Sequence, residues 1–558
     1  MIGRDSEGEA PDRTPSDHAD VCVVGAGVAG GLVAHSLATA GHDVVILDAG
    51  PRFERSKVMA RLEKALRPEH DRTDVWEMGG ERDQYTKSLP DGITANLNLQ
   101  RVKGIGGTTL HWSGGALRLH EKDFNMQSRY GLAADWPIDY ADLRPYYASA
   151  ERELGVAGGD DNPFISREQD APMPAHPNSP SDRLFQEACE ELGIRTHSFP
   201  LAINSEVRDG RSQCVGFSTC TPVCPSGAKY SGDVHVRQAE SAGARVIDRA
   251  PAQSIEHDDD GTSVVAVEYA TPSGEVHRQT AQQFVIACGG IETPRLLLLS
   301  ESDEYPNGLA NRSGTVGKYL FSDSSVSVTA RIDETANKTP IGYTTMCSDE
   351  FYDHDDPTPG TIQLRFDNVD PQSPVETALT GGHSSREQIY KEPIYGGSWG
   401  DALLDETQHA TDNRTIRITA GLETIPHADS TVTLDRSKTD NHGNPVPHIE
   451  FDIGPHVVET GERAIEIMKE IMDTIGAEIT SISDPESQRL ANHHNGTTRM
   501  GSDPSESVVN ASLQTHDLSN LWISSSSVFP TSGATAPTLT IAALSLKAAD
   551  HIDNKLSS

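Results

Sequence analysis

The sequence is poor in the features of membrane and secreted proteins. No run of eighteen apolar residues occurs in its 558 residues, so no membrane-spanning helix is predicted. Residues 1–20 are polar, with neither the apolar core of a secretory signal nor the arginine pair of twin-arginine export. Seven cysteines are too few for a disulfide framework in a chain of this length. We therefore expect a cytoplasmic protein that does not insert directly into a membrane.

Aromatic residues and lysines are also scarce. The chain is 5% aromatic, and 13 lysines accompany 33 arginines and 83 acidic residues, which gives a net charge of −37. This charge repels nucleic acid and anionic membranes and argues against both as partners. Concentrated salt, with a Debye length of about 3 Å at 1 M, would screen the self-repulsion. The composition therefore indicates a halophilic source, with an ordinary acidic cytosolic protein as the alternative.

The chain does contain the start of a nucleotide-binding fold. A short apolar strand at 21–24 leads into a GxGxxG pattern, a helix predicted at 32–40 and a second strand at 44–47. A further buried strand is predicted at 284–287, far along the chain. Since nucleotide-binding pieces lie at the start, the middle and the end, we expect one discontinuous domain with a second domain inserted into it.

Four residues of the first unit fit a dinucleotide fingerprint. Gly25 permits a tight turn, Gly27 lets the backbone approach a pyrophosphate, and Gly30 allows close helix–strand packing. Asp48, 18 residues after Gly30, can accept hydrogen bonds from a ribose diol and would repel a 2′-phosphate. The fingerprint thus disfavours NADP but does not separate FAD from NAD, and an ordinary glycine-rich turn is the alternative.

The middle of the chain reads mostly as short strands and polar loops. One hairpin is predicted from strands at 432–434 and 448–451 around a turn at 441–444. Apolar residues at helical spacing predict a helix over 459–474. This stretch would supply the inserted domain.

Five further motifs follow the fingerprint in a fixed order. They are Gly104-Ile-Gly-Gly-Thr-Thr-Leu-His-Trp112; Trp136-Pro-Ile138 with Tyr146-Tyr147 and Ala150-Glu151; Ala287-Cys-Gly-Gly-Ile-Glu-Thr-Pro-Arg-Leu-Leu297; His493-His-Asn-Gly-Thr-Thr-Arg-Met-Gly501; and Phe529-Pro-Thr-Ser-Gly-Ala-Thr-Ala-Pro-Thr-Leu-Thr540. This series, over residues 19–552, resembles the glucose–methanol–choline (GMC) oxidoreductase family. The resemblance implies FAD, oxidation of a CH–OH group, and an α/β fold in which a discontinuous Rossmann-like FAD-binding domain carries an inserted substrate domain on a mostly antiparallel sheet (α+β).

The resemblance also divides the chain into segments. We expect a polar tail at 1–18, FAD-binding parts at 19–130, 206–318 (with three clustered cysteines) and 486–558 (with the catalytic histidine), a connection with the first part of the substrate domain at 131–205, and the rest of that domain at 319–485.

Several residues outside the fingerprint are expected to contact the cofactor. Gly106 and Gly107 would let backbone N–H groups reach it, and the hydroxyls of Thr108 and Thr109 would add donors. In pyranose and choline oxidases a histidine at the place of His111 bonds covalently to the flavin; a packed or hydrogen-bonded His111 is the alternative. The remaining predicted contacts are Trp112, Ala287, Gly289, Thr535, Pro537 and Thr538.

Oxidation of an alcohol by a flavin requires a base that removes the hydroxyl proton while the carbon delivers a hydride. A neutral imidazole suits this task, because its unperturbed pKa is about 6.5. In the family the base belongs to a His-x-x-Gly-Thr motif, which the resemblance places at His493; a shift of one residue would place it at His494. The family's second polar residue falls at Ala536, which cannot hydrogen-bond a substrate. Thr535 or another side chain substitutes, one base suffices, the substrate differs, or activity is lost.

Three cysteines lie within eleven positions: Cys214, Cys220 and Cys224, the last followed by proline. Three thiolates spaced this way can converge on one soft metal centre. The segment 214–236 is similar to the catalytic subunit of bacterial FAD-dependent glucose and gluconate-type dehydrogenases, in which such cysteines hold a 3Fe–4S cluster. Three ligands without an obvious fourth fit that cluster better than zinc. Structural thiols or one disulfide are the alternative.

The resemblance therefore implies a sugar or polyol dehydrogenase whose electrons leave through the cluster to a protein acceptor. A small accessory subunit and a cytochrome are the candidate partners, and such a subunit would give peripheral membrane association. One alternative is an alcohol, choline or pyranose-type oxidase that uses oxygen and has no cluster. An alternative of another class, suggested by Ala536, is a non-catalytic FAD-binding subunit.

Overall fold

The computed structural model describes residues 12–17, 19–65, 74–76, 83–89, 97–336, 341–354, 360–368, 399–411, 414–487 and 490–558. Most of the predicted polar tail thus lies outside the described residues. Among the helices that are described, none is both long enough and apolar enough to cross a membrane.

Seventeen β-strands occur in the described part of the chain. They are β1 (Val21–Val24), β2 (Val44–Leu47), β3 (Thr86–Ser88), β4 (His197–Ser198), β5 (Arg245–Ile247), β6 (Ala252–His257), β7 (Val264–Ala270), β8 (Val276–Gln279), β9 (Gln283–Ile286), β10 (Ser324–Arg331), β11 (Thr344–Ser348), β12 (Ile362–Asp367), β13 (Thr415–Leu422), β14 (Thr431–Thr439), β15 (Pro445–Glu450), β16 (Glu478–Ile482) and β17 (Leu521–Ile523).

Eleven α-helices accompany these strands over the same residues. They are α1 (Val28–Ala40), α2 (Val58–Ala65), α3 (Leu97–Gln100), α4 (Met126–Tyr130), α5 (Tyr140–Leu154), α6 (Pro180–Glu191), α7 (Asp233–Ser241), α8 (Gly289–Leu299), α9 (Asp401–Thr411), α10 (Gly454–Ile475) and α11 (Thr538–Leu556).

A five-stranded parallel sheet, in the order β17–β9–β1–β2–β5, forms the nucleotide-binding half. All four residues of β1 are buried, because helices cover both faces of such a sheet. Helix α1 packs against α7 and α11. It begins at Val28, four residues earlier than predicted, and ends at Gly41 in the left-handed conformation. Because its strands come from the beginning, middle and end of the chain, the predicted discontinuous Rossmann-like domain is confirmed.

The second half is built on a six-stranded antiparallel sheet in the order β16–β10–β13–β12–β11–β4. Strand β10 alternates between buried and more exposed residues, so one face is buried in the core. Helix α10 packs on β10 and β13 through buried residues that include Ala464, Met468 and Ile471. The helix predicted over 459–474 and the mostly antiparallel substrate domain are therefore confirmed.

Two three-stranded sheets complete the fold, β14–β15–β3 and β6–β7–β8. In the first, β14 and β15 are antiparallel, with Val432 opposite Ile449 and Leu434 opposite Pro447. Their turn includes Gly443 at a φ of 83°. The hairpin predicted from this segment is therefore confirmed.

The motif residues around 136–151 anchor the carboxyl-terminal segment. The Trp136 indole N–H donates to the Thr531 hydroxyl at 2.7 Å, and the hydroxyls of Tyr147 and Thr540 are 2.8 Å apart. The buried carboxylate of Glu151 accepts two hydrogen bonds from the guanidinium of Arg118, at 2.9 and 2.8 Å. These contacts fix the last motif against the rest of the nucleotide-binding half.

Candidate active site

A cavity of about 1070 Å³ lies at the carboxyl ends of the parallel strands, where Val24, Leu47 and Ala287 line it. Ligands of open α/β sheets bind at this edge. Most of the residues predicted from the sequence line the cavity, namely Gly25, Gly27, Asp48, Gly107, Thr108, Thr109, His111, Trp112, Ala287, Gly289, Pro537, Thr538, His493 and His494. Gly30, Gly106, Thr535 and the three clustered cysteines are not part of its lining.

The two glycine-rich stretches meet back to back beside the cavity. Gly107 has a φ of 56°, and a Cβ there would lie 2.9 Å from the Gly27 Cα. A Cβ at Gly30 would overlap the Gly25 carbonyl oxygen, so this glycine serves helix–strand packing, as its spacing predicts. Gly106 donates its backbone N–H to the Ala26 carbonyl at 2.8 Å, which joins the stretches.

Asp48 stands at the end of β2 with both carboxylate oxygens engaged. One accepts the backbone N–H of Ala26 at 2.8 Å and the other that of Gly50 at 2.9 Å. Burial raises the pKa of Asp48 to about 6, against the effect of these two donors. The remaining lone pairs of the carboxylate can still accept hydrogen bonds from a ligand in the cavity.

The two threonines of the second glycine-rich stretch differ in what their hydroxyls do. The Thr109 hydroxyl donates to the Gly106 carbonyl at 2.6 Å and accepts the Gly232 N–H at 2.8 Å. The expectation that it donates to the cofactor is therefore replaced by a role in holding the loop. The Thr108 hydroxyl accepts the Val102 N–H at 3.4 Å and keeps its own proton for a ligand.

His111 and Trp112 form the next part of the wall. The His111 carbonyl accepts a hydrogen bond from the Thr221 hydroxyl at 2.9 Å. The Trp112 indole donates to the Tyr230 carbonyl at 2.8 Å. The wall is thereby tied to the segment that carries the clustered cysteines.

The last two motifs close the cavity from the opposite side. A Cβ at Gly290, next to Gly289, would overlap the His494 carbonyl, so helix α8 begins in contact with the histidine motif. The buried Thr535 hydroxyl donates to the Ser532 carbonyl at 3.3 Å, and Ala536 lines the cavity itself. Thr535 therefore does not offer its hydroxyl proton in place of the polar side chain missing at Ala536.

His493 is held by a carboxylate that sequence reasoning missed. Its Nδ1 bonds to the carboxylate of Asp323, which immediately precedes β10. No described residue hydrogen-bonds its Nε2, and its side chain is 35% exposed. An acceptor on Nδ1 fixes the proton there and leaves Nε2 with a lone pair. His493 can therefore act as a base toward a ligand in the cavity.

His494 has different surroundings, although it is the next residue. It is buried, and its Nε2 lies 3.0 Å from the Gln100 side-chain oxygen. Because that oxygen only accepts, Nε2 carries the proton. Burial, with the nearby charge of Arg101, lowers the pKa of His494 to about 3. The imidazole is therefore neutral and stays so at ordinary pH.

A compact group of charges lines the same cavity. Arg101 donates to Asp83 at 2.7 Å and to Glu292 at 2.8 Å, and Arg295 donates to Glu292 at 3.1 Å. Burial alone would raise the pKa of Glu292, but Lys103 and Arg295 outweigh it and hold that pKa well below its usual range. In the sequence, Arg101 and Lys103 lie just before one glycine-rich motif, and Glu292 and Arg295 lie just after the two glycines of another. This placement of opposite charges is the signal from which the charged group could have been predicted.

The three clustered cysteines lie next to the part of the cavity wall formed by His111 and Trp112. All seven cysteines of the chain are free thiols, and Cys214, Cys220 and Cys224 share one apolar cluster with Ala536. Burial raises the pKa of Cys220 to about 11, while the Lys229 ammonium lowers it. The three sulfur atoms are not a set within 4.8 Å of one another among the described residues.

Comparison with known proteins identifies the chain's family. Two family models, both described as GMC oxidoreductase, match residues 24–322 and 426–545. The chain belongs to the GMC oxidoreductase family. It is an FAD-dependent oxidoreductase that acts on CH–OH donors, as the motif series predicts.

Named relatives extend over nearly the whole chain. The fructose dehydrogenase large subunit of Gluconobacter japonicus is 33% identical, over 96% of this chain and 98% of that protein. The 2-methyl-1,2-propanediol dehydrogenase of Mycolicibacterium austroafricanum is 29% identical, over 98% and 97%. The gluconate 2-dehydrogenase flavoprotein of Pantoea cypripedii is 24% identical, over 96% and 93%.

Solved structures share the fold at low identity. An Aspergillus oryzae RIB40 formate oxidase structure superposes with a TM-score of 0.67 at 16% identity, over 97% of this chain and 99% of that one. Pyridoxine 4-oxidase from Mesorbium loti gives a TM-score of 0.61 at 18% identity, over 96% and 99%. These likenesses confirm the predicted two-domain architecture.

The cavity fits the chemistry of FAD. The amino-terminal end of α1 faces it through Gly27 and Val28, and helix amino-termini favour phosphate. Asp48 offers acceptors to a ribose, and Trp112 and Pro537 offer apolar surface to a ring system. The residues present therefore match the diphosphate, ribose and ring of the cofactor.

Proposed function

We propose that this protein is a dehydrogenase that oxidises a sugar or polyol, and the observation that carries the proposal is the His493–Asp323 pair at the cavity wall. Relatives named fructose dehydrogenase large subunit and gluconate 2-dehydrogenase flavoprotein support a carbohydrate substrate. When bound, FAD supplies the hydride acceptor. The chain's own residues supply the base and the walls of the site.

His493 is the proposed base. Asp323 accepts a hydrogen bond from the Nδ1–H, so Nε2 is the atom that takes the hydroxyl proton of the substrate. The Asp323 carboxylate then stabilises the imidazolium that forms, as the carboxylate does in a Ser-His-Asp triad. His494, buried and with its Nε2 proton donated to Gln100, is assigned to the wall beside the base.

The proposed reaction uses one base. Ala536 offers no hydrogen bond, and the Thr535 hydroxyl is donated to Ser532. The Nε2 atom of His493 and the cavity walls must therefore orient the substrate without the second polar side chain that the family has at the position of Ala536. A non-catalytic flavin-binding subunit remains the alternative that the activity test below is designed to detect.

The same proposal assigns a 3Fe–4S cluster to Cys214, Cys220 and Cys224. The backbone N–H of Gly342 donates to the Cys220 sulfur and that of Gly216 to the Cys214 sulfur, so two of the three thiolates would have a backbone donor. Thr221, next to Cys220, lines the flavin cavity. When present, the cluster would accept electrons one at a time from the flavin side.

The proposal also includes the electron acceptor and the cellular location of the enzyme. The relatives named as a large subunit and a flavoprotein favour an accessory subunit and a cytochrome as acceptor. The protein would then be cytoplasmic, or peripheral at the membrane through that subunit, in a halophilic source. The domain limits predicted from the sequence, such as an FAD-binding part at 486–558, are part of the same proposal.

Iron analysis and low-temperature EPR of protein purified in high salt test the cluster. We expect three irons per chain, with an EPR signal in the oxidised state that dithionite removes. Cys220→Ser should abolish the signal, whereas Cys189→Ser, a buried thiol in α6, should retain it. A yellow, flavin-loaded protein with no iron would contradict the cluster and favour the oxygen-using oxidase.

Anaerobic mixing with a panel of sugars and polyols tests the activity. The dehydrogenase proposal predicts bleaching of the flavin by at least one of them and little peroxide in air. Rapid reoxidation by oxygen with peroxide release would replace it with the oxidase. Bound flavin that no alcohol or sugar reduces would leave the non-catalytic subunit.

A further inference from the structure

Three side chains of types that can ligate metals meet outside the lining of the cavity, on three different helices. They are His35 of α1, Glu153 of α5 and His235 of α7, and their ligand atoms all lie within 4.8 Å of one another. None of the three lines the cavity. The mechanism proposed above uses none of them.

Each ring nitrogen of His235 has one polar neighbour. Its ring is 1% exposed, with Nδ1 2.7 Å from the Tyr230 hydroxyl and Nε2 3.0 Å from a Glu153 oxygen. In the absence of an ion, one tautomer satisfies these contacts, with the Tyr230 hydroxyl donating to Nδ1 and the Nε2–H donating to Glu153. In the other tautomer Nδ1–H donates to the Tyr230 oxygen, and the Nε2 lone pair and the Glu153 carboxylate can together ligate a cation, as metal-bound histidines commonly donate their other N–H to an oxygen.

His35 is available as the second nitrogen ligand. Its ring centroid lies 5.4 Å from that of His235, and no described residue hydrogen-bonds either of its nitrogens. His35 is half-buried and the Glu153 side chain is 40% exposed, so an ion can enter from solvent.

We propose that His35, Glu153 and His235 bind a divalent transition-metal ion, with zinc as the best-fitting ion. Two imidazoles and one carboxylate form a three-residue set that leaves a position for water, and imidazole ligands disfavour magnesium and calcium. This set shares no residue with the clustered cysteines Cys214, Cys220 and Cys224.

The position of this site gives it a structural consequence. The ion would join α1, α5 and α7, and α7 is preceded by Gly232, where a Cβ would lie 2.8 Å from the Val28 N. Tyr230 also holds Trp112 of the cavity wall through its carbonyl. A metal ion that joins the three helices would therefore hold the glycine-rich fingerprint at the start of α1 in place. Because this fingerprint is expected to bind the diphosphate, zinc should slow the release of FAD.

Equilibrium dialysis of the FAD-loaded full-length protein against Zn²⁺ tests the site. The measurement uses the Cys220→Ser background, so that Cys214, Cys220 and Cys224 cannot bind an ion together. We expect one tightly bound zinc, with affinity reduced about tenfold or more in His35→Gln and in Glu153→Gln. His427→Gln, which changes an exposed histidine beside Asp429, should leave the affinity unchanged.

A second readout separates the site from a general effect on folding. Zinc should raise the unfolding temperature and slow FAD release in the parent protein and in His427→Gln, but not in His35→Gln. Because His35 makes no hydrogen bond to a described residue, its replacement should leave the zinc-free unfolding temperature nearly unchanged. Equal zinc affinity in the parent, His35→Gln and Glu153→Gln proteins would overturn the proposal.

Discussion

His493 and His494 are neighbours in sequence, yet their partners assign them different protonation chemistry. A carboxylate acceptor on Nδ1 leaves His493 with a free Nε2 lone pair at the cavity. An amide oxygen on Nε2 makes His494 a donor there, and burial keeps it neutral. At the scale of single residues, the partner of each ring decides which histidine can take a proton.

Replacing His493 tests this assignment. We expect His493→Gln to lower kcat by about 10²–10⁴-fold, because the proton acceptor is lost, while FAD stays bound. Asp323→Asn should lower kcat by a smaller factor with little change in KM, because the imidazolium loses its stabilising charge. Steady-state kinetics with flavin content as the control checks both, and unchanged turnover in His493→Gln would remove it from the reaction.

Asp48 predicts a pH dependence of cofactor binding. Without FAD its pKa is about 6, and hydrogen bonds from the proposed ribose favour the carboxylate, so FAD lowers that pKa. FAD binding therefore releases a proton below about pH 6, and affinity should fall as the pH drops through that value and be flat above it. Fluorescence titration of the apoprotein measures this, and Asp48→Asn should flatten the curve.

At the scale of secondary-structure elements, two glycines of the fingerprint have different roles, one in helix–strand packing and one in keeping space for the cofactor. Gly30 lies where α1 crosses β1, and a side chain there would overlap the Gly25 carbonyl. Gly27 begins the same helix at a φ of −81°, and the nearest atom to a Cβ there is the Gly107 Cα at 3.9 Å. One glycine therefore serves the fold, and the other keeps the cavity open.

Alanine at each position should separate folding from binding. Gly30→Ala should destabilise the apoprotein by about 1–3 kcal/mol through overpacking. Gly27→Ala should leave the stability of the apoprotein almost unchanged but weaken FAD binding by about tenfold or more, since its methyl occupies cofactor space. Thermal unfolding without FAD and titration with FAD distinguish the two, and identical behaviour of the variants would contradict the assignment.

The whole molecule carries a net charge of −37. Such a charge destabilises a compact state by self-repulsion. Its buried ion pairs, such as Arg118–Glu151, are already formed inside the protein and are screened little by salt. Salt therefore acts mainly on the acidic surface.

Salt should accordingly stabilise the protein. Raising KCl from about 0.1 M to about 2 M shortens the Debye length to a few ångströms, and we expect the unfolding temperature to rise by about 5 °C or more. Sucrose of equal osmolality, which does not screen charge, is the control. An unfolding temperature that KCl does not change would count against a halophilic source.

The family, the first β–α–β unit, the hairpin predicted at 432–451 and the histidine motif could be predicted from the sequence, because each depends on residues close together in the chain. The contacts of Asp323 with His493, 170 residues away, and of Gln100 with His494 could not, because they form only when the chain folds. The tertiary structure likewise brings His35, Glu153 and His235 together from three helices. Spacing along the chain fixes local backbone geometry, whereas tautomer, burial and metal ligation depend on side chains that only packing brings into contact.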